Sequence, residues 1–233
     1  MARAEQTQMS PEEWRASTSL SGVYALRMLG MFLVLPVLSI YAASLPGAQN
    51  NAALAGFAAG MYGLTQALMQ LPLGMASDRF GRKKTIYFGL ILFAAGSFTA
   101  AAADSWAMLT LGRALQGAGA VSAAVTALLA DLTREEVRTR AMAMIGLSIG
   151  IVFSASLVLS PMLTGFVGVK GLFVLTGPLT LAGILVVALF TPEPQVSKLH
   201  EDMQAQPGRL AEVFKNRRLM SLNFGIFALH CGM

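Results

Sequence analysis

Apolar residues along this chain come in long uninterrupted blocks, and the polar residues collect in the gaps between them. Six blocks are long enough to cross a hydrocarbon core of about 30 Å, which takes about 20 residues of helix. They run Leu20–Ala43, Leu54–Met75, Thr85–Ala103, Trp106–Ala130, Ala141–Phe166 and Leu172–Phe190. The first contains Arg27 and the fourth Arg113; the other four hold no charged residue. A further apolar run opens at Leu219 and reaches Met233, 15 residues and too short to span. No strand-like alternation interrupts these blocks. In lipid, every backbone polar group needs a partner within its own segment, so the blocks predict helices. The expected architecture is all-α and polytopic: an N-terminal segment over 1–19, six membrane helices over 20–190, a polar linker over 191–218, and the start of a seventh helix over 219–233.

Composition narrows the function classes. Of 233 residues, 55% are apolar and only 12% charged, about half the charged share of a water-soluble domain. A single cysteine, Cys231, excludes a disulfide framework and a cysteine-based metal site, and His200 and His230 lie too far apart to form a local ligand pair. No Ser/His/Asp set, metal cluster or phosphate-cradling loop is present, which argues against an enzyme and gives no reason to expect a cofactor. The net charge of +5 is a matter of placement. With the N-terminus inside, the inner segments carry Arg3 and Arg15, then Arg79, Arg82, Lys83 and Lys84, then Arg134, Arg138 and Arg140, then Lys198, Arg209, Lys215, Arg217 and Arg218, against Lys170 alone outside. That asymmetry is the positive-inside signature of a multi-pass protein, not a nucleic-acid patch.

Local signals add detail. Ser10-Pro11-Glu12-Glu13 has the form of a helix capping box with proline at the first helical position and predicts a surface helix before the first span. Thr133-Arg-Glu-Glu136 has the same form and predicts a short inner helix before span five. Glycine pairs at four-residue spacing, Gly56/Gly60 and Gly146/Gly150, predict close helix packing. Pro36, Pro161 and Pro178 lie deep in spans one, five and six and are candidate kinks.

Two motifs stand above composition. The loop after span two reads Gly74-Met-Ala-Ser-Asp78-Arg79-Phe-Gly81-Arg82-Lys83-Lys84, one acid among four bases, with Gly81 able to supply a positive φ. Span four carries Arg113, Gln116 and Ala120 on one helical face. An arginine in a span costs about 2.5–3.5 kcal/mol on insertion scales and usually faces a polar cavity. Tyr62, Thr65, Gln66 and Gln70 make a polar stripe on span two, so Arg27, Tyr62, Gln66, Arg113 and Gln116 are the candidate lining of a transport path.

These residues resemble a known family. The loop matches the cytoplasmic signature of the major facilitator superfamily, G-x-x-x-D-R-x-G-R-R/K-K/R, at every defined position, and Arg113–Ala120 matches its fourth-helix pattern R-x-x-Q-G-x-G-A. Leu26-Arg27-Met-Leu-Gly-Met-Phe, Tyr62-Gly-Leu-Thr-Gln66 and Asp131-Leu-Thr-Arg-Glu are similar to the bacterial YajR-type subgroup. A third signature, for antiport, is met only in part by Ser160-Pro161-Met-Leu-Thr164-Gly165. The resemblance covers nearly all of this chain but only the N-terminal half of such a carrier.

The resemblance implies a secondary active transporter of a small-molecule substrate in a bacterial inner membrane, an exporter or proton-coupled drug-type carrier that works by alternating access against a C-terminal six-helix half. The alternative is a membrane scaffold that uses the same fold without transport. It further implies that Asp78 meets a helix of the second half in one state. From charge and position, Gly74, Asp78, Arg79, Gly81, Arg82 and Asp131 are expected to form an inner-side latch, with a cation offsetting Asp131 at the C-terminal end of span four. Protons are a candidate coupling ion. Apart from Asp131 at its helix end, however, none of the six spans holds Asp, Glu, His or Lys, so a proton-carrying carboxylate is expected elsewhere. The membrane lipid is the remaining partner.

Overall fold

The structure, a computed structural model, describes residues 8–49, 51–192 and 215–231. Most of the linker, with Lys198, His200 and Arg209, lies outside the described residues, as do Arg3 and His230's side chain. The chain divides into two units, Met1–Ser197 and Lys198–Met233. The second contributes one helix, Arg217–Cys231, of 15 residues. In the first unit the helices are α1 (Pro11–Ser44), α2 (Ala52–Phe80), α3 (Arg82–Ala101), α4 (Trp106–Ala118), α5 (Ser122–Asp131) and α6 (Glu135–Phe190); the helix of the second unit is α7. No strand occurs among the described residues.

The capping box at Ser10 forms in full. Ser10 Oγ accepts from Glu13 N at 3.2 Å, and Glu13 Oε2 accepts from Ser10 N at 2.8 Å. The helix it starts does not stop before the membrane but runs unbroken to Ser44. Residues 11–19 therefore extend the helix of span one ahead of the apolar block that opens at Leu20, and are not a separate helix. The reason is packing: Ala16, Ser17, Ser19 and Leu20 are buried, so small side chains carry the same interior stripe back to the helix start.

The second predicted box does not form. Thr133 Oγ1 donates instead to Leu129 O at 2.7 Å, and Arg134 is the N-cap of α6. Its backbone N–H is taken by Glu13 of α1 at 3.0 Å, so a carboxylate from another helix replaces the local cap. No separate inner helix precedes span five, since α6 runs on from Glu135.

At 56 residues, α6 drawn straight would be about 84 Å long. Yet both of its ends meet the first turns of α1: Arg134 Nε lies 2.9 Å from Glu13, and Thr191 Oγ1 lies 3.0 Å from Ser19 Oγ. The element therefore doubles back, and it does so at Gly168, whose φ of 68° and ψ of 175° interrupt the helix. Its arms, 135–167 and 169–190, carry the apolar blocks of spans five and six, with residues 135–140 and Lys170 beyond the block ends. Span four differs from expectation in the other direction, because it is split by Gly119–Val121 into α4 and α5. The break sits where the backbone of Gly119 lies against α3, so that an added Cβ would fall 2.9 Å from Phe93 N.

Close backbone approach is real but occurs at glycines other than those expected. A Cβ on Gly96 would lie 2.5 Å from Gln116 N, one on Gly112 2.6 Å from Ala100 N, and one on Gly117 would overlap Thr65 Oγ1 and Tyr62 O. Among the described residues, nothing lies within 4 Å of a Cβ on Gly56, Gly60, Gly146 or Gly150. Pro36, Pro161 and Pro178 all fall inside helices, as does Pro72 of α2, which the sequence reading did not single out.

The interior forms two apolar clusters. One joins Leu20, Val23, Ile86, Leu90, Val125, Leu128, Ile145 and Val187; the other joins Val34, Leu38, Ala58, Ala100, Leu109, Leu172 and Phe173. On α1, α3, span four and the second arm of α6, the residues between these clusters include buried polar ones: Arg27, Ser97, Arg113, Gln116, Thr176 and Thr180. A polar layer thus lies midway along the bundle.

Candidate transport path and inner-end charge cluster

Arg27 from α1 and Arg113 from α4 are each fully buried at 0% exposure and meet the same tyrosine. Arg27 Nη2 donates to Tyr62 Oη at 3.0 Å and to Gln66 Oε1 at 3.4 Å. The Arg113 guanidinium carbon stands 4.6 Å from the Tyr62 ring centroid, a cation–π contact. Phe93 of α3 backs the arrangement, 5.3 Å from the Arg27 guanidinium and edge-on to Tyr62. Arg113 Nη1 donates to Gln116 Oε1 at 2.8 Å, and Gln116 Nε2 donates to Ser97 Oγ at 2.8 Å. The i, i+3 spacing of Arg113 and Gln116 makes this pairing possible on one helical face. All five residues proposed from sequence to line the path therefore join one network spanning α1, α2, α3 and α4. Ser97 was missed, since a lone serine in an apolar run has no distinguishing pattern. Its role follows from Gly96 and Gly112, which bring α3 and α4 close enough for the bond.

A second network lies where α2 turns into α3. Gly81 takes a φ of 101°, a conformation that disfavours any Cβ, and so allows the chain to reverse with no intervening loop. Arg82, the first residue of α3, then pairs with Asp78 one turn back and reaches Asp131 Oδ2 at 3.1 Å. It also donates to Ser77 Oγ at 2.8 Å. Asp131 ends α5, so its charge opposes the negative end of a helix dipole, and Arg82 offsets it there. Gly74 faces Ala123 of α5, with an added Cβ 3.6 Å from the alanine methyl. Arg79 does not enter the cluster: it is exposed, and its guanidinium lies over its neighbour Phe80 at 5.5 Å. Of the residues expected here, Asp78, Arg82 and Asp131 are brought together and Arg79 is not.

The same end of the bundle holds a pair that sequence reading assigned only to capping. Glu13 accepts from Arg134 through Nε at 2.9 Å, Nη2 at 3.0 Å and the backbone N–H. Hydrogen bonding from Arg134 outweighs burial and holds the Glu13 carboxyl down at about 2, well below the usual carboxylate range. Nearby, Lys83 Nζ and Arg15 Nη2 donate to the last carbonyls of α6, Thr191 O at 2.7 Å and Leu189 O at 3.0 Å. At the opposite end Lys170 pairs with Asp104 at 2.6 Å, which raises the lysine's pKa. Among the described residues no group of three or more His, Cys, Asp or Glu is placed to hold a metal ion.

With this geometry in view, the family model of the Major Facilitator Superfamily matches residues 20–233. The chain belongs to that superfamily. It is 49% identical over 222 residues to the inner membrane transport protein YajR of Escherichia coli, covering 95% of this chain and 48% of that protein. It is 30% identical over 141 residues to the class B tetracycline resistance protein of Escherichia coli, covering 60% of this chain and 34% of that one. Among solved structures, the human organic anion transporter MFSD10 (TETRAN) superposes with a TM-score of 0.70 at 23% identity, over 81% of this chain and 50% of that one, a likeness of fold. The chain thus spans about half the length of the relatives it matches. It is a membrane protein of a transporter superfamily, not an enzyme. Five helical runs are long and apolar enough to cross a membrane among the described residues, and the doubled-back α6 supplies two arms of crossing length.

Proposed function

We propose that this chain is the N-terminal half of a secondary active transporter, an exporter of small molecules that works by alternating access. The observation that carries the reading is the Arg82-centred cluster. A single guanidinium ties α2 to α3 and α5 through Asp78 and Asp131, while Asp78 keeps 34% of its side chain exposed. A latch needs both properties: a pair that organises its own half, and a carboxylate face left open for the partner half. A helix N-terminus there would favour that carboxylate by about 0.3–1 kcal/mol, more when partly buried. In this reading the cluster lies on the cytoplasmic side, with the N-terminus inside, because Arg79, Arg82, Lys83, Lys84, Arg134, Arg138 and Arg140 share that end and Lys170 lies at the other. Substrate occupies the midplane layer around Tyr62, where this superfamily's halves meet.

Coupling to protons remains part of the proposal. The spans of this half hold no carboxylate other than Asp131 at its helix end, so the proton site belongs to the second half. The test is uptake of tetracycline, the drug in the name of one relative, by everted membrane vesicles containing the full-length protein. Accumulation above the outside concentration supports transport. Binding with no accumulation favours a scaffold on the same fold, and accumulation indifferent to a collapsed pH gradient removes proton antiport.

A further inference from the structure

Among the described residues, the polar layer between the two apolar clusters holds two buried cations, Arg27 and Arg113, and no anion. Arg27 uses only Nη2 and Arg113 only Nη1 in hydrogen bonds; Arg27 Nε and Nη1 and Arg113 Nε and Nη2 have no partner. Every group they do touch is neutral: Tyr62, Gln66, Gln116 and the Phe93 ring. The effective penalty for burying an ion is several kcal/mol, whereas a cation–π contact returns about 0.5–2 kcal/mol. The neutral network therefore leaves both charges under-compensated. The free edge of Arg113 is also specific in shape. Nε and Nη2 are the side-on pair of a guanidinium, whose two parallel N–H bonds match the two oxygens of a carboxylate. A halide offers one point of contact and leaves half of that fork unfilled.

We propose that Arg113, against the Tyr62 ring, and Arg27, on the Tyr62 hydroxyl, form a binding site for the carboxylate of a small organic anion, Arg113 taking it side-on and Arg27 supplying the second charge. This deepens the transport reading and rests on it for the claim that the anion is cargo. Tyr62 is the positioning residue, since its hydroxyl holds one guanidinium and its ring faces the other.

The test uses the purified 233-residue chain in detergent, with unfolding followed by tryptophan fluorescence. Sodium benzoate is titrated against its neutral isostere benzamide, at constant ionic strength balanced by sodium chloride. The expected result is a saturable rise in Tm with benzoate and none with benzamide. Arg113→Gln should weaken the benzoate effect by about tenfold or more, the size of a lost charged hydrogen bond. Arg113→Lys should weaken it too, because the charge stays while the fork goes. Without benzoate, Arg113→Gln should unfold no earlier than the parent, because it removes an uncompensated buried charge. Equal responses to benzoate and benzamide, or a benzoate effect unchanged in both Arg113 variants, would overturn the site. A Tm that rises with chloride as it does with benzoate would overturn the carboxylate assignment. Should Arg113→Gln fail to fold, the benzoate–benzamide comparison on the parent and Arg113→Lys still decide. Stabilisation by benzoate with uptake of neither benzoate nor tetracycline into vesicles of the full-length protein supports the site and overturns the carrier; tetracycline uptake without benzoate stabilisation supports the carrier and overturns the site.

Discussion

Replacing Glu13 by Gln removes a charge from the point where α1 meets α6 while keeping the side chain's shape. In the parent, one carboxylate serves Arg134 Nε, Arg134 Nη2, Arg134 N and Ser10 N. Glutamine can still accept from one or two of these donors, but its amide nitrogen faces the others and the ion pair is lost. The pKa falls from 4.5 to about 2, and at about 1.4 kcal/mol per pKa unit the upper bound is ~3.5 kcal/mol. Arg134 is half exposed, so water and salt screen the pair, and about 1–2 kcal/mol is the expected loss. For a unit of this size that is a drop in apparent Tm of roughly 3–6 °C, read by tryptophan fluorescence in detergent. The pH dependence gives the sign. A depressed carboxylate pKa stabilises the fold fully above the unfolded value near 4.5, and the contribution disappears as pH falls toward about 2. The parent should therefore lose more stability than Glu13→Gln between pH 7 and pH 3, and the two curves should converge. Equal Tm values at pH 7, or parallel curves, would refute the reasoning.

Further expectations follow from the packing. Gly117→Ala should destabilise by about 1–3 kcal/mol, because its Cβ would overlap Thr65 and the Tyr62 carbonyl, whereas Gly146→Ala should be neutral or slightly stabilising; denaturation of both variants checks the contrast. Gly81→Ala forces a Cβ into the left-handed region at φ 101° and should cost about 1–2 kcal/mol, visible as a lower Tm with the helical content by circular dichroism unchanged. Lys170→Ala breaks an ion pair whose aspartate is 88% exposed and should move Tm by less than about 1 °C.

How much of this was readable beforehand depends on the range of the interaction. Membrane-length apolar runs, the start of α1 and the positive φ of Gly81 are local properties, and hydropathy, a capping box and a glycine in a charged turn announce them. Arg113 with Gln116 was legible for the same reason, since three residues apart on a helix means one face. What sequence did not reveal is what depends on two helices at once. The Thr133 box looked sufficient, yet Glu13, far away in sequence, caps α6 better because it brings a full charge. The glycine spacing of Gly146/Gly150 points to close packing, but spacing alone does not say whether a neighbour lies on that face, and among the described residues none comes within 4 Å of an added Cβ. The contacts occur at Gly112, Gly117 and Gly119 of span four, where α2 and α3 approach it, at Gly89 and Gly96 of α3, and at Gly30 and Gly177, where α1 and the second arm of α6 meet their neighbours. Arg79 was grouped with Arg82 by proximity in sequence, although the turn at Gly81 sends only Arg82 toward Asp131.

The central claim is that the Asp78–Arg82–Asp131 cluster is a working part of a carrier and not only a solvated loop. The direct measurement is tetracycline uptake by everted vesicles carrying the full-length protein with Asp78→Asn, at matched membrane levels. Arg82 retains Asp131 and Ser77 as partners, so the variant should insert and fold normally. The account predicts that uptake falls by about tenfold or more, the equivalent of at least ~1.4 kcal/mol withdrawn from one state of the cycle. Uptake equal to the parent, with the same amount of protein in the membrane, would contradict it.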